Sequence, residues 1–260
     1  MQKIKDLIQE IEKYAPLSLQ ESYDNAGVQV GDIYRTATGV LLALDVTEEV
    51  IEEAYNLRCN VIISHHPLIF KPLSSLTGKS YIERCVVKAI QKEIVIYAAH
   101  TNLDNVINGV SHRIAQKMGL QHIRILSTEK DALSGPGVMG ELSSDEEELD
   151  FLYLLKDIFE LKVLKHSPLR NKKIKKVAVC GGSGAFLIPD AIAAGADVFI
   201  TGEAKYNDFY NVENKILLSV IGHYESEVCT KEIFFEIITK KFPNFAVHFS
   251  KINLNPVNYL

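Results

Sequence analysis

The sequence predicts an α/β fold of two similar lobes with mainly parallel sheets. Three observations carry this. Short, continuous apolar runs alternate with stretches of helical period, the order expected of parallel strands covered on both faces. Two distant segments, VLLALDVTEEVIEEAYNLRCNVIISHH and VAVCGGSGAFLIPDAIAAGADVFITGE, both read strand, turn, helix, strand, then Ser or Thr followed by polar residues. Polar, chemistry-bearing residues also gather just after the strand-like runs. The expectation is a single domain over 1–260, with approximate lobes 1–128 and 129–260 related by internal similarity.

The elements follow in order. In MQKIKDLIQEIEKYAP, Ile4, Leu7, Ile8 and Ile11 share one helical face and acidic residues interrupt the run, which is an amphipathic helix and not a secretion signal. GVLLALDV (39–46) is a buried strand. Thr47 caps the next helix, with Glu48 and Glu49 in its first turn and an apolar stripe of Val50, Ile51, Ala54 and Leu57. CNVIIS (59–64) and IVIYAA (94–99) are strands around a helix YIERCVVKAIQKE (81–93), and VINGVSHRIAQKMG (106–119) is a helix closed by Gly119. The middle is less regular. HIRILS (122–127) is a strand, SGPG (134–137) a turn, and GVMGEL (137–142) a strand pairing back on the sheet. The acidic run DEEE (145–148) opens a helix through Leu149, Leu152, Leu155 and Phe159, where carboxylates suit the positive dipole end. HSPLRNKKIKK (166–176) is a polar, basic surface connection. The alternation then resumes: strand KVAVC (176–180), turn GGSG, helix AFLIPDAIAAG (185–195), strands ADVFIT (196–201) and KILLSVIG (215–222). A helix burying Val228, Ile233, Phe234, Ile237 and Ile238 precedes a last strand, FAVHFSKI (245–252).

Composition narrows the function classes. No run approaches the ~18 apolar residues of a membrane span, so no membrane partner is expected. The cysteines Cys59, Cys85, Cys180 and Cys229 lie far apart and form no CxxC pair, which suits a reduced, cytoplasmic compartment. A net charge of -5 argues against nucleic acid as a bulk electrostatic partner.

The chemistry sits at the strand ends, where parallel α/β sheets bind ligands. His65 and His66 follow the strand at 59–64; His100 and Asp104 follow 94–99; Gly202 and Glu203 follow 196–201; His223 and Glu227 follow 215–222. Neighbouring side chains on an extended backbone point to opposite sides, so His65 and His66 suit two metal ions, or one metal and one substrate contact. His223 and Glu227 are four apart and share a face if a helix starts there; Glu225 points elsewhere. With Asp104 these make a donor set for two divalent ions about 3.5–4 Å apart. Imidazole plus carboxylate, without thiolate, suits Zn, Mn, Fe or Ni. Two such ions leave the pocket positive after Asp104 and Glu227, which favours an anionic small molecule such as a phosphate ester or nucleotide. Plainer readings stand beside these. Asp104 can be an N-cap, His223 and Glu227 a surface pair, and His100 a hydrogen-bonding neighbour. CGGSG resembles a phosphate cradle but lacks a P-loop lysine, so it reads as a tight turn.

SHHPLIF (64–70), AHTNLD (99–104), TGEAKY (201–206) and GHYESE (222–227), with YDNAGVQVGD (23–32), resemble the motifs of the GTP cyclohydrolase I type 2 family, also called the NIF-three-like family. The likeness runs from about residue 20 to NPVNYL. It implies two similar lobes with a dinuclear metal site in the cleft between them, and a homohexamer built as a trimer of dimers. It carries His65, His66, Asp104, His223 and Glu227 over as metal ligands, and places His100 near the site. The short stretch near 140–170 marks the compact form, without the extra domain of some relatives. The family name implies GTP cyclohydrolase chemistry, for which Glu227 and His100 are the candidate catalytic proton carriers. The candidate metal motifs of this chain lack the cysteine of the classical GTP cyclohydrolase I zinc site. A broader metal-dependent hydrolase and a non-catalytic hexameric metal-binding scaffold or metal-handling protein therefore stand beside that reading.

Overall fold

A computed structural model gives the fold and describes residues 2–126, 133–253 and 255–260. In chain order the first elements are α1 (Ile4–Tyr14), β1 (Gly27–Val30), β2 (Val40–Ala43), α2 (Glu48–Asn56), β3 (Val61–Ser64), α3 (Tyr81–Gln91), β4 (Val95–Ala98), α4 (Thr101–Asn105) and α5 (Val110–Lys117). There follow β5 (Gln121–Ile125), β6 (Val138–Glu147), α6 (Glu148–Ile158), β7 (Lys165–His166), β8 (Lys173–Cys180), α7 (Ile188–Ala193) and β9 (Val198–Thr201). The last are α8 (Asp208–Asn211), β10 (Leu217–Val220), α9 (His223–Glu227), α10 (Thr230–Lys241) and β11 (Val247–Phe249).

The chain divides into two compact units. One holds Met1–Leu103 and Thr230–Asn255; the other holds Asp104–Cys229 and Pro256–Leu260. The lobes expected from sequence are a linear division, and the units are not, because α10 and β11 return to the first. The expected boundary at 128/129, like Ser127 of HIRILS, lies outside the described residues.

In the first unit the sheet order is β1-β4-β3-β2-β11. β4, β3, β2 and β11 run parallel, and β1 is an antiparallel edge on β4. Every residue of β2, β3 and β4 is buried, which is why these strands are apolar throughout. The stripes of α2 and α3 (Val50, Ile51, Ala54; Cys85, Val86, Ala89) pack on Leu41, Ile62 and Ile96. Thr47 caps α2 by accepting the Val50 N–H. The predicted face of α1, Ile4, Leu7, Ile8 and Ile11, is buried, and α1 lies against α10. Each such side chain contributes about 1.5–3 kcal/mol of burial.

In the second unit the order is β5-β6-β8-β9-β10-β7. β8, β9 and β10 form a parallel centre; β6 with β5 on one side and β7 on the other are antiparallel. Leu187, Ile188 and Ala191 pack on Ala178, Phe199 and Leu218.

Three readings change. The expected helix at 106–119 is α5 alone, preceded by the separate short α4. The acidic run does not open a helix: Asp145, Glu146 and Glu147 finish β6, and only Glu148 enters α6. That helix buries Phe151, Leu152 and Leu155 but leaves Leu149 exposed. The basic stretch 166–176 is not all surface. Glu148 is buried and accepts hydrogen bonds from Arg170 Nε (2.9 Å) and from the N–H groups of Arg170 and Asn171. Arg170 is correspondingly enclosed, its side chain 5% exposed.

Candidate functional site

The first unit gathers three histidines where its parallel strands end. β2 leads to Asp45, β3 to His65 and His66, and β4 to His100. β1 runs the other way, with Gly27 opposite Ala98, so the residues just before it, including Asp24, arrive at the same end. One ring nitrogen each of His65, His66 and His100 lies within 4.8 Å of the others.

The rings are held by oxygen acceptors at Nδ1. His65, fully buried, places Nδ1 2.9 Å from the Ala99 carbonyl. A carbonyl only accepts, so Nδ1 carries the proton and Nε2 the lone pair. His66 Nδ1 is 2.8 Å from Asp45 Oδ1, and His100 Nδ1 is 2.8 Å from Asp24 Oδ1. This is the outer-shell arrangement that orients metal-binding imidazoles and raises their basicity. Burial pushes the Asp24 carboxyl up, but hydrogen bonds from His100 and Thr101 outweigh it and hold the pKa at about 2. Asp24 is therefore an anion at neutral pH, suited to accept the His100 proton. A set of imidazole nitrogens oriented by a carbonyl at His65 and by carboxylates at His66 and His100 fits a divalent transition metal.

His65 and His66 do not diverge as an extended backbone would make them. Both N–H groups donate to the Leu44 carbonyl, at 3.2 and 3.0 Å, so the chain bulges as β3 ends. Their ring centroids lie 5.0 Å apart.

The second unit builds its own cluster at the matching ends of β8, β9 and β10. His223 and Glu227, the ends of α9, meet at 2.9 Å between Nε2 and Oε2. The Glu227 side chain is 5% exposed, which removes the plain surface-pair reading. His223 Nδ1 lies 3.1 Å from Glu203 Oε1. Asp104 falls within α4, and the N-cap of α5 is Gly109, so Asp104 does not cap that helix. Burial first, then the charges of Asp104 and also Glu227, push the Cys180 thiol up, which puts both carboxylates in its neighbourhood.

The CGGSG turn is not a phosphate cradle. The N–H groups of Gly181, Gly182 and Gly184 already donate to the hydroxyls of Ser111, Ser226 and Thr201, at 3.2, 2.9 and 2.9 Å. It makes room instead. Gly182 has φ +60°, and a Cβ there would meet Glu227 Oε1 at 2.1 Å.

Sequence reasoning missed Asp24, Asn25, Gln29, Asp45 and Gly182. Asn25 Nδ2 donates to the Ile69 carbonyl (2.6 Å), and Gln29 Oε1 accepts from Ile69 N–H (3.1 Å), which ties down the chain beyond His66. For Asp24, Asn25 and Gln29 the available signal was the motif YDNAGVQVGD, matched above without roles for its residues.

Two α/β units, one with three histidines and the other with a histidine and two glutamates at the carboxyl ends of parallel strands, define a protein with candidate metal-binding groups on a two-sheet α/β scaffold. The model of the Duf34/NIF3 (NGG1p interacting factor 3) family matches residues 2–256, and the chain belongs to that family. A Clostridium perfringens protein named GTP cyclohydrolase 1 type 2 homolog is 36% identical over 86% of this chain and 87% of its own length. A Lactococcus lactis protein of the same name is 34% identical over 94% and 92%. A Staphylococcus aureus hypothetical protein of solved structure superposes with a TM-score of 0.91 at 34% identity, over 99% of each chain. A Bacillus cereus protein related to NIF3 shares the fold with a TM-score of 0.93 at 23% identity, over 100% and 99%.

Proposed function

We propose that this chain binds two divalent metal ions, Zn, Mn or Fe, through His65, His66, Asp104, His223 and Glu227, and that it is a metal-dependent hydrolase of a nucleotide or another phosphorylated substrate. The observation that carries the reading is the convergence of three imidazoles whose Nδ1 atoms are all anchored on oxygen acceptors. A histidine that only fills a core needs one such excuse; three together are an oriented set, with His65 and His66 as ligands and His100 beside them. Divalent ions would supply Lewis acidity toward the substrate and would acidify a water.

The chain's own groups have definite tasks in this chemistry. Glu227, enclosed and against His223, is placed to hold a proton and return it. His100, with Nδ1 on an ionised Asp24, presents Nε2 as a proton acceptor beside His65 and His66. Two divalent ions exceed the charge of Asp104 and Glu227, and that surplus favours an anionic substrate. The names of the 36% and 34% identical relatives make GTP the first substrate to try. A homohexameric assembly belongs to the same proposal, and its test is the mass in solution.

The experiment is GTP turnover without oxygen, after separate reconstitution with Zn, Mn and Fe(II), following formate and dihydroneopterin triphosphate. Metal-dependent product that vanishes in Glu227→Gln is the expected result. In metal analysis, His65→Ala and His66→Ala should each fall below the about two ions per chain of the parent. Fully loaded protein that turns over neither GTP nor a panel of phosphate esters overturns the hydrolase and leaves a metal-binding scaffold. Unchanged metal content in both histidine variants overturns the ligand assignment.

A further inference from the structure

We propose that a cavity within the second unit is the binding site for a nucleoside phosphate. The proposal deepens the hydrolase reading and rests on it for the class of ligand. The cavity has a volume of about 630 Å³, inside the ~300–1,000 Å³ range of small-molecule sites. It opens where β8 and β9 end. Ser183 comes from the glycine-rich turn, and Phe186 from the 3-10 turn Ala185–Leu187 that follows. Glu203, Lys205 and Asp208 come from the chain beyond β9, and Lys165 from the edge strand β7.

The charges in this wall are not equivalent. Asp208 Oδ2 is engaged by the Lys205 N–H at 2.7 Å. Glu203 accepts from the Ser183 hydroxyl at 2.6 Å and reaches His223 Nδ1 at 3.1 Å. The two ammonium groups have no such ties: among the described residues neither Lys165 nor Lys205 is paired with a carboxylate. The wall thus carries two anchored carboxylates and two ammonium groups that are free to turn toward an anion. The amides of the glycine-rich turn cannot share the task, since Gly181, Gly182 and Gly184 already donate elsewhere. Phe186 is 64% exposed on the same cavity. A large ring left in water beside two cations offers a face on which a planar base can stack. Glu203 belongs both to this wall and to the His223 contact, so a ligand held here lies beside the second unit's metal-ligand candidates.

The test is calorimetric binding of GTP, ATP, CTP and UTP, with inorganic triphosphate and guanosine as separated parts, to the full chain with and without Zn. Wild-type protein should bind nucleotides even when metal-free. Lys165→Ala/Lys205→Ala should weaken them and triphosphate by about tenfold or more, with melting temperature and Zn stoichiometry unchanged. Phe186→Ala should weaken nucleotides and guanosine by about tenfold and leave triphosphate alone. Lys165→Gln/Lys205→Gln serves if the alanine pair folds poorly. Failure of all four nucleotides to bind the metal-free chain overturns the proposal. So does an affinity the lysine variants do not alter. Loss of metal binding in the histidine variants tests the metal reading separately, so the two can fail independently.

Discussion

Two carboxylates decide what the histidines of the first unit can do. Asp45 and Asp24 sit at Nδ1 of His66 and His100 and set which ring nitrogen carries the lone pair. Asp45→Asn should therefore lower Zn or Mn affinity about 10–100-fold in a chelator competition, with little change in melting temperature. An unchanged affinity would remove Asp45 from the site. Gly182 decides the position of Glu227. Gly182→Ala forces a residue with a Cβ into a left-handed backbone and pushes the Glu227 carboxylate aside, so it should destabilise by about 1–2 kcal/mol and lower metal content together. A folded variant with full metal content would show that Gly182 does not set the position of Glu227. The histidines were legible in the sequence because imidazoles directly after apolar strands are conspicuous. Asp24 and Asp45 were not, since one carboxylate near a turn or strand end suits a cap equally well. Gly182 was legible only as a turn residue, because its need depends on a side chain 45 positions away (Glu227) that the sequence does not place beside it.

At the level of elements, α3 shows how a helix start can be held by one side chain. Ser80 Oγ accepts the Glu83 N–H, and Glu83 Oε2 accepts from Thr77 N–H, Thr77 hydroxyl and Lys79 N–H. The bond from the Thr77 backbone is the main reason the Glu83 carboxyl titrates below its ordinary value of 4.5. A depressed folded pKa means stability that is complete above about 4.5 and lost as pH falls through the folded value. Glu83→Gln should thus melt below wild type at neutral pH, and the gap should close as pH falls below that value. A gap constant with pH would show that ionisation of Glu83 contributes nothing. The buried strands β2, β3, β4, β9 and β10 were all legible as continuous apolar runs. β1 was not, because GVQV is only partly buried at an antiparallel edge. β6 was read too short. Its register with β8 shifts between Glu141 and Glu146, so its far half carries polar and acidic residues on an exposed ladder. An acidic run is locally compatible with a helix start, and long-range pairing overrides that preference.

Across the whole molecule, the apolar interior shelters every thiol. Cys59, Cys85, Cys180 and Cys229 are free and buried, and burial pushes Cys59 and Cys85 up to about 11. Thiol reagent at mildly alkaline pH should label the native chain slowly and react with four groups only after denaturant is added. Fast labelling of folded protein would contradict this interior. Among the described residues no helix is long and apolar enough to cross a membrane. Internal similarity in the sequence suggested a linear division into halves and gave no sign that the chain revisits the first unit, because α10 and β11 carry no mark of the sheet they join. That return has a consequence for biosynthesis. A ribosome delivers β2 early and β11 last, with all of Asp104–Cys229 in between. Until the final segment emerges, β2 is an open sheet edge with unpaired backbone groups, and α1 lacks the helix it lies against. The first unit to be begun thus waits on a segment made after nearly all of the second, and a stalled nascent chain carries a sticky edge that the completed protein conceals.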